Sequence, residues 1–198
     1  DESFRNILSK SDFNIANLEC SITDDEKNAA DKTFTFALPT KYVAAIKDVG
    51  VHLLTLANNH ILDFGIDEML NTIKTLDENN IYHVGAGKNI DEAKKIFIKE
   101  IEGKRYAILG ASAVMPKDDW KATKNRAGIF DAYNLSQLCT EIREVKKYVD
   151  KVIVYMHWGR ELEPASNTWQ KDIARRAVDA GADLVVGTHA HIPQEIEY

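Results

Sequence analysis

The sequence predicts an α/β layered fold with a largely parallel inner sheet. Three observations carry that expectation. Strand-like and helix-periodic segments alternate for most of the 198 residues. Residues 51–57 form a near-continuous apolar run, the pattern of a strand covered on both faces. Leu135, Leu138, Ile142, Val145 and Val149 recur at spacings of 3, 4, 3 and 4, which places them on one helix face.

Taken in order, residues 1–10 predict a short helix with Phe4, Ile7 and Leu8 on one face, and residues 12–18 a strand. Residues 20–32 are polar and predict a surface loop; residues 33–36 alternate as a short strand. Thr40 is expected to cap a helix carrying Val43, Ile46 and Val49, which Gly50 stops. Residues 66–78 place Met69, Leu70, Ile73 and Leu76 on one helical face. A strand over 81–84 closes at Gly85-Ala86-Gly87, read as a tight turn, and Asn89 caps a helix through Lys95. Residues 96–101 and 105–111 flank Glu102-Gly103-Lys104 and predict a hairpin. Residues 112–128 are irregular, and Asn134 precedes the long amphipathic helix. A strand follows over 151–156, then a helix opened by Asn167 or Thr168 and closed by Gly181. Residues 183–186 form a buried strand and residues 194–198 the start of another.

Composition narrows the function classes. Lys plus Arg is 25 and Asp plus Glu 31, a net charge of −6 that argues against a nucleic-acid binder relying on a broad basic surface. Cys20 and Cys139 are too few for a disulfide framework. No apolar run reaches the length of a membrane-spanning helix. No composition shift marks a boundary, so residues 1–198 are expected to form a single domain.

The ligand-type residues fall in one kind of place. Asn17-Leu18-Glu19, Asn58-Asn59-His60, His157-Trp158-Gly159 and His189-Ala190-His191 each follow a predicted strand. In an open α/β sheet, the carboxyl ends of the strands are where sites are built. Imidazole nitrogen, carboxylate oxygen and amide oxygen together suit Zn²⁺, Mn²⁺ or Fe better than Ca²⁺. A carboxylate such as Glu19 can bridge two cations, and two metals can clamp the attacking and leaving oxygens of an ester. Each residue also has a plainer reading. Asn58 and Asn59 are turn formers, and a single strand-end histidine is more often structural than a ligand. The coincidence of the four loops favours the metal. His52 and His83 lack that context and are assigned to strands, Trp158 and Trp169 to packing, and Cys20 to a small buried residue.

These motifs resemble the poly-γ-glutamate capsule synthesis protein family (CapA-like), a branch of the calcineurin-like metallophosphoesterases. The resemblance rests on Asn17-Leu18-Glu19-Cys20, on Phe34-Thr35-Phe36 with Pro39, and on Ala57-Asn58-Asn59-His60 with Asp63 and Gly65. It continues through His83-Val84-Gly85-Ala86-Gly87, His157-Trp158-Gly159 with Glu161, and the stretch from Ala180 to His191 with Gln194 and Ile196. It implies a four-layer α/β/β/α sandwich with a two-metal site. Glu19 would bridge; Asn59, His157 and His189 would bind one metal and His191 the other; His60 would stand beside them as general acid or oxyanion partner. The family's pattern begins with a strand ending in Gly-Asp and closes with further strands, so the sandwich is expected to be incomplete at both ends here. With the Gly-Asp ligand missing, at most one tightly held divalent ion (Mn, Zn or Fe) is expected. The implied role is capsule biosynthesis with a metal-dependent phosphoesterase-like hydrolase core. The implied partners are an anionic polymer or phosphoester and other capsule synthesis proteins, with no nucleic acid. The alternative is a non-catalytic metal-containing module that binds or helps export the polymer. The resemblance places the protein at the bacterial cell surface, with membrane contact only through a segment outside this chain.

Overall fold

The structure is a computed structural model and describes residues 2–25, 27 and 29–198. It opens with α1 (Glu2–Leu8), β1 (Ile15–Asn17), β2 (Ser21–Ile22) and β3 (Ala37–Leu38). Next come α2 (Val43–Asp48), β4 (Leu53–Thr55), α3 (Ile66–Glu78), β5 (Tyr82–Val84), β6 (Ala86–Gly87) and α4 (Ile90–Ala93). The second half holds β7 (Phe97–Ile101), β8 (Lys104–Ser112), β9 (Gly128–Ile129), α5 (Leu135–Lys146), β10 (Lys151–His157), α6 (Thr168–Asp179) and β11 (Leu184–Thr188).

Two sheets dominate. One runs β1-β4-β5, all parallel. The other runs β11-β10-β8-β7, parallel except for β7, which returns on β8 through the expected hairpin. Its two-residue turn puts Glu102 at φ 50° and Gly103 at φ 74°, the backbone twist that a tight hairpin requires.

Side-chain alternation then stacks four layers. On β10, Ile153 and Tyr155 join the cluster of Leu53, Val84 and Ile108, which lies between the sheets. Val152, Val154 and Met156 point the other way, into a core with Leu138, Ile142, Ile173 and Ala177 of α5 and α6. On β4, Leu53 faces the opposite sheet, while Leu54 packs with Val43, Met69 and Leu76 of α2 and α3. Helices, sheet, sheet and helices follow in that order, the α/β/β/α sandwich expected.

Caps appear where the sequence signals them. The side chains of Asn89 and Asn134 accept from Glu92 N and Gln137 N. Asn167 and Gln170 close a capping box at the head of α6.

Several local expectations are corrected. The stretch 20–32 is not wholly a surface loop: Ser21, Ile22 and Thr23 are buried, and Ile22 N–H donates to the Thr72 hydroxyl (2.8 Å). Its polar appearance hid a buried two-residue strand whose polar atoms are satisfied by α3. The strand expected over 33–36 lies at Ala37–Leu38, paired in parallel with β2. Thr40 caps nothing; it opens a 3₁₀ turn behind Pro39. The apolar run 51–57 is strand only over Leu53–Thr55, because its end belongs to the site loop. Residues 194–198 form no strand. Gly85-Ala86-Gly87 is more than a turn: Ala86–Gly87 pairs with β9, and a side chain at Gly85 (φ +96°) would come within 2.7 Å of Ala57 Cβ. Asp1, Glu26 and Asn28, which fall in the expected first helix and loop, lie outside the described residues.

The core assignment is testable. Ile108, 1% exposed between the sheets, should lose about 2–5 kcal/mol on truncation to Ala. Val178→Ala, on the open side of α6 at 53% exposure, should stay within about 0.5 kcal/mol. Urea midpoints at constant slope check both.

Candidate metal centre

The parallel registers decide what meets. Asn17 is paired with Thr55, and His157 with Thr188, so the loops after β1, β4, β10 and β11 leave the sheets at one edge. There the structure brings together Glu19, Asn59, His157, His189 and His191. His157 Nε2 lies 2.7 Å from Asn59 Oδ1 and 3.6 Å from Glu19 Oε1. His191 Nε2 lies 4.0 Å from that same Oε1. The rings of His157 and His189 are 4.8 Å apart, and those of His189 and His191 6.0 Å. A cleft of about 730 Å³ runs over Glu19, Trp158, His189 and His191. His189 and His191 both have positive φ (92° and 56°), unusual for side chains of this size and characteristic of functional loops.

The electrostatics of the cluster are unbalanced. Among the described residues, Glu19 Oε1 and His189 Nδ1 here, and His83 Nδ1 away from the site, are buried polar atoms without a hydrogen-bond partner. Such atoms are uncommon and point to an ion or a chemical role. Burial pushes the Glu19 carboxyl above its ordinary pKa, against the pull of His191 and His60. Burial, reinforced by His189, His60 and His191, pushes His157 down to about 2. His189 is lowered mainly by burial, with Glu161 opposing. Both imidazoles are therefore held neutral, the form that binds metal. When the Thr188 hydroxyl donates to Met156 O (3.3 Å), His157 Nδ1–H donates to Thr188 Oγ1 (3.1 Å). The Nε2 lone pair then faces the Asn59 amide oxygen, and a cation between them satisfies both. One donor atom from each of Glu19, His157 and His189 lies within 4.8 Å of the others. The donor set fits a divalent Zn, Mn or Fe ion.

Asparagines position the carboxylate. Asn17 Nδ2 donates to Glu19 Oε2 (2.8 Å), and Asn58 Nδ2 donates to Asn17 Oδ1 (3.1 Å) and Leu18 O (2.7 Å). Asn58 Oδ1 accepts from the amides of His60 and Ile61 (3.0 and 2.9 Å). Asn58 is thus a fully buried tie between two loops as well as a turn former.

His60 stands apart from the candidate ligands. Its Nδ1 lies 2.7 Å from Asp63 Oδ2, which also accepts from Phe36 N–H. Lys32 Nζ reaches the other Asp63 oxygen and Asn59 O, and Phe36 packs on the imidazole at 4.4 Å. His52 and His83 lie elsewhere: His52 Nδ1 accepts from Asn14 N–H just before β4, and His83 Nε2 lies 3.1 Å from Asp77.

Sequence reasoning gave no role to Asp63, Glu161 or Lys32. Asp63 is signalled by its place three residues after His60, and Glu161 by following His157 in the same loop. Lys32 carries no sequence signal, because only the fold brings it to Asp63.

This architecture is that of the metallophosphoesterase fold. A phosphatase from Mycoplasma pneumoniae superposes on 98% of this chain and 62% of its own, with a TM-score of 0.54 at 18% identity. The chain itself belongs to the family described as bacterial capsule synthesis protein PGA_cap, whose pattern matches residues 2–198. It is 35% identical over 193 residues to the PGA biosynthesis protein CapA of Bacillus subtilis, covering 96% of this chain and 50% of that protein. Against the capsule biosynthesis protein CapA of Bacillus anthracis it is 34% identical over 207 residues, covering 100% and 50%. The chain thus spans about half the length of the curated relatives it matches. No helix among its described residues is long and apolar enough to cross a membrane.

The depressed His157 pKa makes a prediction for the metal-free protein. The unfolded chain, with a histidine pKa of about 6.5, takes up protons that the folded chain refuses. His157 therefore lowers stability as pH falls below 6.5 toward about 2. Glu19 acts with the opposite sign, because its raised pKa costs stability as pH rises through its folded value. In EDTA, the drop in urea midpoint from about pH 7.5 to about pH 5.5 should be smaller in His157→Gln than in wild type. Equal drops would contradict the burial of a neutral His157.

Proposed function

We propose that this chain, acting as one domain, is the metal-dependent, phosphoesterase-type hydrolase core of a capsule biosynthesis protein at the bacterial cell surface. Its substrate is an anionic polymer or a phosphoester. The observation that carries the reading is Glu19 Oε1, which has no hydrogen-bond partner and faces His157 Nε2 and His191 Nε2 at 3.6 and 4.0 Å. Glu19, Asn59, His157 and His189 would hold one divalent ion, with His191 and Glu19 facing a second. Bound there, such ions supply Lewis acidity toward a phosphoryl or carbonyl oxygen.

The remaining groups have roles that follow from their contacts. Asp63 fixes the His60 ring through Nδ1, which leaves Nε2 as the nitrogen that can hand a proton to a leaving oxygen. Lys32 balances the Asp63 carboxylate that orients the His60 ring. Arg160, exposed and without a hydrogen-bonding or ion-pair partner among the described residues, is available to orient an anionic substrate. Other capsule synthesis proteins are the natural partners on this reading.

A second reading is favoured by the names of the relatives, which refer to biosynthesis rather than hydrolysis. It makes the chain a non-catalytic metal-containing module that binds an anionic polymer or helps export it. Phosphodiester hydrolysis and poly-γ-glutamate binding, measured in parallel, separate the two. On the hydrolase reading, His60→Ala lowers turnover by roughly a hundred- to ten-thousand-fold with metal content intact. His189→Ala should lose metal and turnover together. Polymer binding without hydrolysis of either substrate, with Mn²⁺, Zn²⁺ or Fe²⁺ supplied, selects the module.

A further inference from the structure

The ligand count that predicts one firm cation leaves out Glu161. One donor atom from each of Glu161, His189 and His191 lies within 4.8 Å of the others, a second group beside the one formed by Glu19, His157 and His189. The two groups share His189, and His191 Nε2 also faces Glu19 Oε1 at 4.0 Å. A cation seated at His157, Asn59 and His189 therefore leaves His191 with two carboxylates in reach.

The backbone holds Glu161 in that place. Gly159 turns the chain immediately after Trp158 at φ +90°, where a side chain would come within 2.7 Å of Gln170 Nε2. Leu162 has φ 59°, and its N–H donates to Ala190 O (2.8 Å), between the two histidines. The loop after β10 is thus fastened to the loop after β11 at the residue next to Glu161. The Glu161 carboxylate has no hydrogen-bonding or ion-pair partner among the described residues. By contrast, Glu195 and Glu197, on the segment after His191, are paired with Lys171 and Arg175. Glu161 and Glu19 also repel each other across the histidines. Two carboxylates in reach of one imidazole repel each other less when a divalent ion lies between them.

We propose that Glu161 is a ligand of the second divalent cation, together with His191 of the same donor group; Glu19 and His191 alone leave that site too open. The inference rests on the metal-centre reading above. Glu161 lies at the exposed end of the centre, so this cation is the more weakly held and the one that exchanges.

Mn²⁺ titration of the purified protein by calorimetry, with electron paramagnetic resonance of the loaded samples, tests it. Wild type should bind two equivalents and give the signal of a coupled ion pair. Glu161→Gln, an isosteric change at an exposed position, should keep the tighter equivalent. It should weaken the second by roughly a hundredfold or more, at least the loss seen when outer-shell partners of metal ligands are removed. The signal should then become that of an isolated ion. His191→Ala should do the same, and urea midpoints of the metal-free variants should match wild type. Two equivalents of unchanged affinity in Glu161→Gln would overturn the inference. So would loss of both equivalents in that variant, or a single equivalent in wild type, which leaves a one-cation centre standing. No binding in wild type would instead remove the metal-centre reading itself.

Discussion

A half-buried carboxylate set among histidines is the constraint on which this site depends. Glu19 is buried enough that its ionised form is disfavoured, yet Asn17 donates to one of its oxygens and the other is left facing His157 and His191. Replacing water around a carboxylate is costly unless a positive charge is supplied. The protein does not supply one from Lys or Arg: the Glu19 ion-pair partners among the described residues are histidines, and burial keeps His157 neutral. A divalent cation would balance this arrangement, and the layered fold holds its candidate ligands together.

That service is visible in the packing. β10 and β11 lie in parallel register, so His157 and Thr188 arrive side by side, and Thr188 is placed to fix the His157 ring. β1 and β4 do the same for Asn17 and Thr55 on the facing sheet, and the buried Asn58 binds their outgoing loops together. The inter-sheet cluster around Leu53, Val84 and Ile108 keeps the two strand edges at one separation. Gly187 passes beneath Trp158, where a side chain would come within 2.5 Å of the indole nitrogen. The indole thus backs the cleft, as its assignment to packing anticipates. Beside the candidate ligands, Lys32, Asp63 and His60 form a separate hydrogen-bonded group.

Much of this was legible in the sequence because it follows from periodicity. Residues 66–78 are helix to the residue, and the Asn134 and Asn167 caps stand where a side-chain acceptor precedes an amphipathic run. The convergence of Glu19, Asn59, His157, His189 and His191 was legible because parallel strands deliver their following loops to one edge. The illegible parts depend on tertiary partners. Ser21-Ile22-Thr23 looks polar, and is buried only because Ile61 and Thr72 satisfy its hydroxyl and amide. Lys32 gains its meaning from Asp63, thirty-one residues away. Glu161 was visible within a motif, but its place beside His191 depends on one backbone hydrogen bond, from Leu162 to Ala190.

The central claim is that a divalent cation compensates the Glu19 carboxylate at the strand edge. Anomalous diffraction from crystals grown with Mn²⁺ tests it most directly. The account predicts a peak within coordination distance of Glu19 Oε1, Asn59 Oδ1 and His157 Nε2. A fully ordered site with no anomalous density there, or with the carboxylate paired instead to a lysine or arginine, would contradict it.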